Sequence, residues 1–223
     1  MTDRRFVELS HVVRAGMITY PGLPAPTITP HLTREASRDR YEAGTEFAMD
    51  VITMVGNTGT YLDAPWHRFA DGADLAGMPL ERLADLPAIV VPVAGTATRA
   101  VGAELLAEAG DVRGHAVLLH TGNCARFGTP GYATDPTFLT RDGAHWLVDH
   151  GAALVGIDAI NIDDMGDGTR PAHTLLLQAG IPVVEHLTGL AELPQRGGRF
   201  TAAPPRVAEF GTFPVRAFAT VPR

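Results

Sequence analysis

Residues 56–69 read G-N-T-G-T-Y-L-D-A-P-W-H-R-F, which places Tyr61, Asp63 and His67 in one glycine-punctuated stretch. Gly56 and Gly59 allow the backbone to turn sharply or to pass close to a ligand, and Pro65 fixes the exit from the stretch. Asp63 and His67 are four residues apart, but Pro65 between them argues against a shared helical face. Taken alone, the stretch fits either a catalytic loop or a turn in which Asp63 caps backbone groups and His67 is satisfied by backbone.

The flanking sequence sets the fold class. Upstream, residues 46–55 (E-F-A-M-D-V-I-T-M-V) form a strand candidate that delivers the chain into the loop. Before it, the Pro-studded arm 20–30 excludes a helix and a central strand. Such an arm lies over a site, reaches a neighbouring subunit or is a surface loop. Residues 6–10 alternate like a first strand. Downstream, 81–84 is a short helix at most, 88–93 (A-I-V-V-P-V) a buried strand, and 102–109 a helix. Residues 115–120 (H-A-V-L-L-H) are another buried strand. The spacing predicts a helix over 140–151, with Thr140 as cap, Ala144, Leu147 and Val148 as its apolar stripe, and Gly151 as its stop. A buried strand at 154–157, a helix at 173–179, a strand at 182–185 and a final alternating strand at 213–221 complete the chain. This mixture argues for an α/β fold with a partly antiparallel sheet.

Bulk properties restrict the function. The chain has 223 residues, is 45% hydrophobic and 19% charged, and has a mean hydropathy of +0.06, which is the profile of a globular protein. The formal net charge is -7 and no basic stripe occurs, which argues against nucleic acid as a partner. Cys124 is the only cysteine, so no intrachain disulfide forms. No apolar h-region opens the sequence and no apolar run reaches the length of a membrane span, so a cytoplasmic protein without a membrane partner is expected. The 24 glycines and 17 prolines imply many turns.

Two further segments carry polar groups. In 171–187 (P-A-H-T-L-L-L-Q-A-G-I-P-V-V-E-H-L), His173 begins a helix and Glu185 ends a strand, so the pair can converge on one point or stay as surface groups. In 156–164 (G-I-D-A-I-N-I-D-D), Asp158 suits a site wall or a helix cap. Asp163 and Asp164 either support a metal ligand or sit in a solvated loop, and the loop is the expectation. His115, His145, His150 and His186 read as ordinary core or surface histidines, and Cys124 as a buried inert thiol.

Together these segments resemble the cyclase family of metal-dependent hydrolases, which includes bacterial kynurenine formamidases and isatin hydrolases. The resemblance rests on E-L-S-H, Y-P-G, T-G-T-Y-L-D-A-P-W-H, V-L-L-H-T-G-N, L-V-G-I-D, A-H-T-L-L-L-Q-A-G-I-P-V-V-E-H-L and F-P-V-R-A-F-A, in that order along nearly the whole chain. It implies a swivelling β/β/α-type α/β fold with a central barrel-like mixed sheet, formed as a single domain (1–223) with an N-terminal strand and arm (1–45). The arm, as in relatives, is expected to pack against a second subunit of a homodimer or homotetramer. In that family the loop reads H-x-G-T-H-x-D-x-P-x-H, where two histidines and the aspartate bind metal and the last histidine is a base. Carried over, Asp63 is a bridging ligand, His67 the base, and His173 and Glu185 the ligands of a second metal position.

Asn57 and Tyr61 stand where the two loop histidines belong. An Asn carbonyl is a poor zinc ligand, and a phenol with a pKa of about 10 must lose its proton to bind. The first metal position therefore keeps only Asp63, whereas Asp63, His173 and Glu185 still suit one divalent ion, Zn or Mn. One expectation is hydrolysis of a C–N or C–O bond in a small cyclic or acyl amide or lactone, with His67 as base and Asn57 and Tyr61 bonding the substrate or oxyanion. A second is metal-free cyclisation, dehydration or isomerisation using Tyr61, His67 and Glu185; a third is a non-catalytic binding protein. Trp66, Tyr20 and Phe47 are candidates for the wall around a small-molecule substrate, with core packing an equal role for Phe47.

Overall fold

The computed structural model describes residues 4–223. The first three residues, where the single-domain reading and the search for a leader begin, lie outside the described residues. In chain order the strands are β1 (Arg4–Glu8), β2 (Thr27–Leu32), β3 (Met49–Thr53), β4 (Tyr61–Asp63), β5 (Leu86–Pro92), β6 (Ala100–Val101) and β7 (Ala116–His120). They continue as β8 (Phe138–Leu139), β9 (Leu154–Ile157), β10 (Val183–Glu185), β11 (Arg196–Thr201), β12 (Thr212–Pro214) and β13 (Phe218–Pro222). The helices are α1 (Arg34–Ser37), α2 (Ala103–Ala107), α3 (Arg141–Asp149) and α4 (Pro171–Gln178).

Nine strands form one sheet in the order β1-β13-β11-β5-β7-β9-β10-β4-β12. Within this sheet the pairs β5–β7, β7–β9 and β9–β10 are parallel and the rest antiparallel. The parallel block is where the sequence runs continuously apolar, because strands covered on both faces need no polar side. Ile89, Val91, Val117, Leu119, Val155 and Ile157 point into one core beneath α3 and α4. Their neighbours Ala88, Val90, Leu118 and Leu154 point into a second core inside the curl of the sheet, with Leu62, Val184 and Phe200. Gly156 faces that interior: a Cβ there would come 2.7 Å from Leu187 and 2.8 Å from Leu118.

The alternating tail is two strands rather than the single one expected over 213–221. β12 pairs with β4 at one edge of the sheet, while β13 lies next to the other edge. The short segment between them spans at most about 3.6 Å per residue, so the sheet curls until its edges nearly meet. Leu9, just past β1, donates its amide to Ala217 and accepts from Thr188, and Val215 donates to Thr60. This half-barrel is the barrel-like mixed sheet that the resemblance implies.

Helix α3 starts where the sequence places it, with Thr140 Oγ1 accepting the Gly143 amide. The arm contains β2, which pairs only with β3 in a separate ribbon, so Pro30 avoids a central strand. No helix among the described residues is long and apolar enough to cross a membrane.

Leu118 is fully buried in the barrel interior. Leu118→Ala is expected to destabilise the protein by about 3 kcal/mol and lower its melting temperature by roughly 6–12 °C, measured by calorimetry.

Candidate active site

Three short strands set out one face of polar groups. On β4, Tyr61 and Asp63 point one way and Leu62 the other, into the core. The register puts Glu185 of β10 opposite Tyr61, and Thr212 of β12 opposite Asp63. Glu185, Tyr61, Asp63 and Thr212 thus share one surface at the end of the parallel block, where the carboxyl ends of strands in such sheets open into a crevice. All four are buried.

Helix α4 brings His173 over this surface. Its first turn lacks a side-chain cap of its own, and Asp163 supplies one by accepting the amides of Ala172 at 2.6 Å and His173 at 3.1 Å. The same carboxylate lies 2.6 Å from His173 Nδ1. Asp163 is therefore fully buried, not in the solvated loop expected for it; Asp164 beside it is partly exposed.

With Nδ1 committed to Asp163, His173 turns Nε2 towards Asp63 Oδ2 at 3.5 Å and Glu185 Oε1 at 3.6 Å. These distances are too long for hydrogen bonds. Asp63 Oδ2 is buried with no hydrogen-bond partner. Ligand atoms on one tetrahedral zinc-sized ion lie roughly 3.3–3.7 Å apart, so the spacing fits a shared cation. The charge inventory agrees: Asp63, Asp163 and Glu185 are buried carboxylates facing one imidazole. Burial pushes His173 down, but Glu185, Asp163 and Asp63 outweigh it and hold the imidazole well above its usual range. Burial, aided by the Asp63 charge and opposed by His173, raises the Glu185 carboxyl to about 7. The pocket demands positive charge, and a divalent ion on Asp63, His173 and Glu185 would supply it.

Tyr61 donates its hydroxyl to Glu185 Oε2 at 2.6 Å. Burial, then the charges of Glu185 and Asp63, push this phenol well above its usual range, so it keeps its proton. In this arrangement Tyr61 is a hydrogen-bond donor to Glu185. Behind it, His186 Nε2 lies 3.3 Å from the Tyr61 oxygen and Nδ1 2.9 Å from the Tyr132 hydroxyl. Burial and nearby His11 lower His186 to about 3, so it is a neutral core group.

His67 follows β4 in the turn Pro65–His67. Thr212 Oγ1 donates to Asp63 Oδ1 and lies 2.7 Å from His67 Nδ1. Burial raises the Asp63 carboxyl, but His173, His67 and the Thr212 hydrogen bond overcome that and hold it below the usual carboxylate range. An ionised Asp63 only accepts, so the Thr212 proton goes to it and the oxygen accepts from His67 Nδ1–H. In that tautomer the ring lone pair is on His67 Nε2. Gly211 permits this contact: a Cβ there would lie 2.5 Å from the His67 backbone nitrogen.

A cavity of about 310 Å³ opens on this constellation, lined by Tyr20, Asn57, Tyr61, His67, His173 and Glu185 among others. Trp66 lines a smaller adjoining cavity with Asn57 and His67. Phe47 is not brought to the site; it is exposed in the arm and meets Tyr41 edge-on at 5.1 Å. Cys124 is half-buried, and burial followed by the Asp158 charge pushes its thiol up, away from the thiolate form that reacts. A larger cleft of about 670 Å³ along β5 and α2 is lined by Glu104, Glu108, Asp142 and Arg196 among others. Asp142 caps the α2 amide of Ala103 and Arg196 holds the Asp111 carbonyl, so that cleft lacks a converging reactive set.

A family model described as "Putative cyclase" matches residues 7–164. The chain belongs to the cyclase family. Solved structures share the fold of this cyclase-family enzyme. A structure described as "The Structure Of Potential Metal-Dependent Hydrolase With Cyclase Activity" is similar at a TM-score of 0.80 and 24% identity, covering 99% of each chain. Isatin hydrolase A from Labrenzia aggregata matches at 0.81 and 23%, over 99% of this chain and 94% of that one. A structure described as "The structure of predicted metal-dependent hydrolase from Bacillus stearothermophilus" matches at 0.77 and 24%, over 97% and 98%.

Thr212 escaped the sequence reading as a site group, and Asp163 was weighed there as support for a metal ligand but expected in a solvated loop. Thr212→Val is expected to lower kcat by about tenfold or more while Thr212→Ser retains most activity, because only the hydroxyl fixes the His67 tautomer. Steady-state kinetics and melting curves of both variants check this.

Proposed function

We propose that the chain hydrolyses a C–N or C–O bond in a small cyclic or acyl amide or lactone. The observation that carries this reading is the Asp63–Thr212–His67 linkage beside the Asp63, His173 and Glu185 cluster. It joins a base with a free Nε2 to a ligand set with a buried, unpartnered oxygen. A Zn or Mn ion held by that set would supply Lewis acidity at the substrate carbonyl. His67 accepts the proton of the attacking water and returns it to the leaving nitrogen or oxygen; the acyl carbon becomes a carboxylic acid, in a separate product from an acyclic substrate and in the one ring-opened product from a cyclic one. Asn57, at the cavity wall, donates to the substrate or the developing oxyanion, while Tyr61 lines the wall with its proton directed to Glu185. Tyr20 and Trp66 supply apolar wall on either side.

The Tyr61–Glu185 hydrogen bond supports a second reading, in which a protonated phenol and a carboxyl with a raised pKa perform cyclisation, dehydration or isomerisation. The two readings part on the metal. Under the first, purified protein carries about one equivalent of divalent metal that Asp63→Ala loses, chelation abolishes turnover, and His67→Ala lowers kcat by about 10²-fold or more. Full activity of chelated, metal-free protein, with loss on Tyr61→Phe, would establish the second reading instead. Plasma mass spectrometry and kinetics on the same preparations provide the measurements.

We also propose that the chain is a homo-oligomer, with the ribbon of β2 and β3 covered by a second copy. Its support is the run of exposed apolar side chains Ile28, Phe47, Met49, Val51 and Ile52. Sedimentation equilibrium is expected to give a multiple of 23.7 kDa, and replacing Ile28 and Ile52 by lysine is expected to return it to that value.

A further inference from the structure

The cavity rim is rich in donors and poor in acceptors. Arg68 and Arg170 both line it. The only carboxylate among its lining residues is Glu185, at the floor, where its oxygens already accept from Tyr61 and from the Ile162 amide. Asn161 also lines the cavity, and its Oδ1 is taken by the Asp163 amide, which leaves its NH₂ group for a ligand.

Neither arginine forms an ion pair among the described residues, although the chain carries 25 acidic against 18 basic side chains. Arg68 lies over the Phe69 ring at 5.3 Å. Arg170 donates one Nη1 hydrogen bond to the Asp164 carbonyl at 2.9 Å, leaving the rest of its fork free. Its backbone is left-handed, at φ 47 and ψ 59, immediately before Pro171. Glycine would occupy that conformation at lower cost, so an arginine there trades backbone ease for a side chain at the cavity mouth.

We propose that the ligand of this cavity is a small organic anion, with its carboxylate or equivalent oxyanion held at the rim by Arg68 and Arg170. This rests on the reading of the cavity as a small-molecule site and adds the substrate's charge. A guanidinium fork matches a carboxylate in shape, and its donors are strongest where water is partly excluded.

The test is calorimetric titration of the purified protein with benzoate and with its neutral counterpart benzamide. Wild type is expected to bind benzoate at least about tenfold more tightly. Arg68→Ala and Arg170→Gly are each expected to weaken benzoate by about tenfold and to leave benzamide unchanged. The glycine variant favours the left-handed backbone, so its fold is expected to survive, with melting curves as the check. Dialysis against a chelator is expected to leave the preference intact. A benzoate preference that persists in the double variant overturns the proposal. So does one that disappears on chelation while the arginine variants retain it, since the carboxylate then sits at the cavity floor. Absence of benzoate binding to wild type overturns it too. No turnover is required, so failure of the hydrolytic reading and failure of this one give separate results.

Discussion

The antiparallel register of β10, β4 and β12 is the constraint on which the site depends. Strand side chains alternate faces, so pairing Glu185 with Tyr61 and Thr212 with Asp63 places all four on one surface. A slip of one residue would bring Leu62 into the cavity and drive the polar groups into the core. The same alternation that packs Leu62 and Val184 with Phe200 inside the curl therefore also aims the chemistry. Stability and function share one geometric rule here, and the fully buried β4 shows both sides of it.

Around this surface, Tyr61 and Asp163 fix the partners of Glu185 and His173. Tyr61 keeps its proton and donates to Glu185, which orders a carboxylate the imidazole also approaches. Asp163 holds the far side of His173, so the ring presents one nitrogen to Asp63 and Glu185. Such support fixes both tautomer and orientation of a ligating histidine. Negative charge is concentrated in the cavity floor, and free positive charge lies at its rim.

The parallel strands were legible because burial on both faces leaves a continuous apolar run, and α3 because Thr140 and Gly151 punctuate it. Asp63, His67, His173 and Glu185 were legible through the ordered segments of the family pattern, not through spacing alone. The break in the tail was not legible, because alternation looks the same whether a strand continues or its chain crosses to another edge. Asp163 was hidden by Asp164: adjacent carboxylates give no hint of which one turns inward. Thr212 carries no local signal at all, since its partner Asp63 is 149 residues away in sequence. Phe47 lies on the exposed arm, and an aromatic residue reads alike whether it lines a wall or decorates a ribbon.

The crossing of the tail between the two edges also bears on the order of assembly. His67 and Asp63 enter the chain early, but the hydroxyl that fixes the histidine's proton arrives only with β12, and β13 then seals the opposite edge beside β1. Contacts separated by so much sequence form late, after the loop entropy of the intervening chain has been overcome. A half-folded molecule can therefore possess the parallel block and its helices and still lack the hydroxyl that links Asp63 to His67. The Asp63–Thr212–His67 linkage thus reports on closure of the whole curl, and a nascent or locally opened chain lacks it until its last strands have docked.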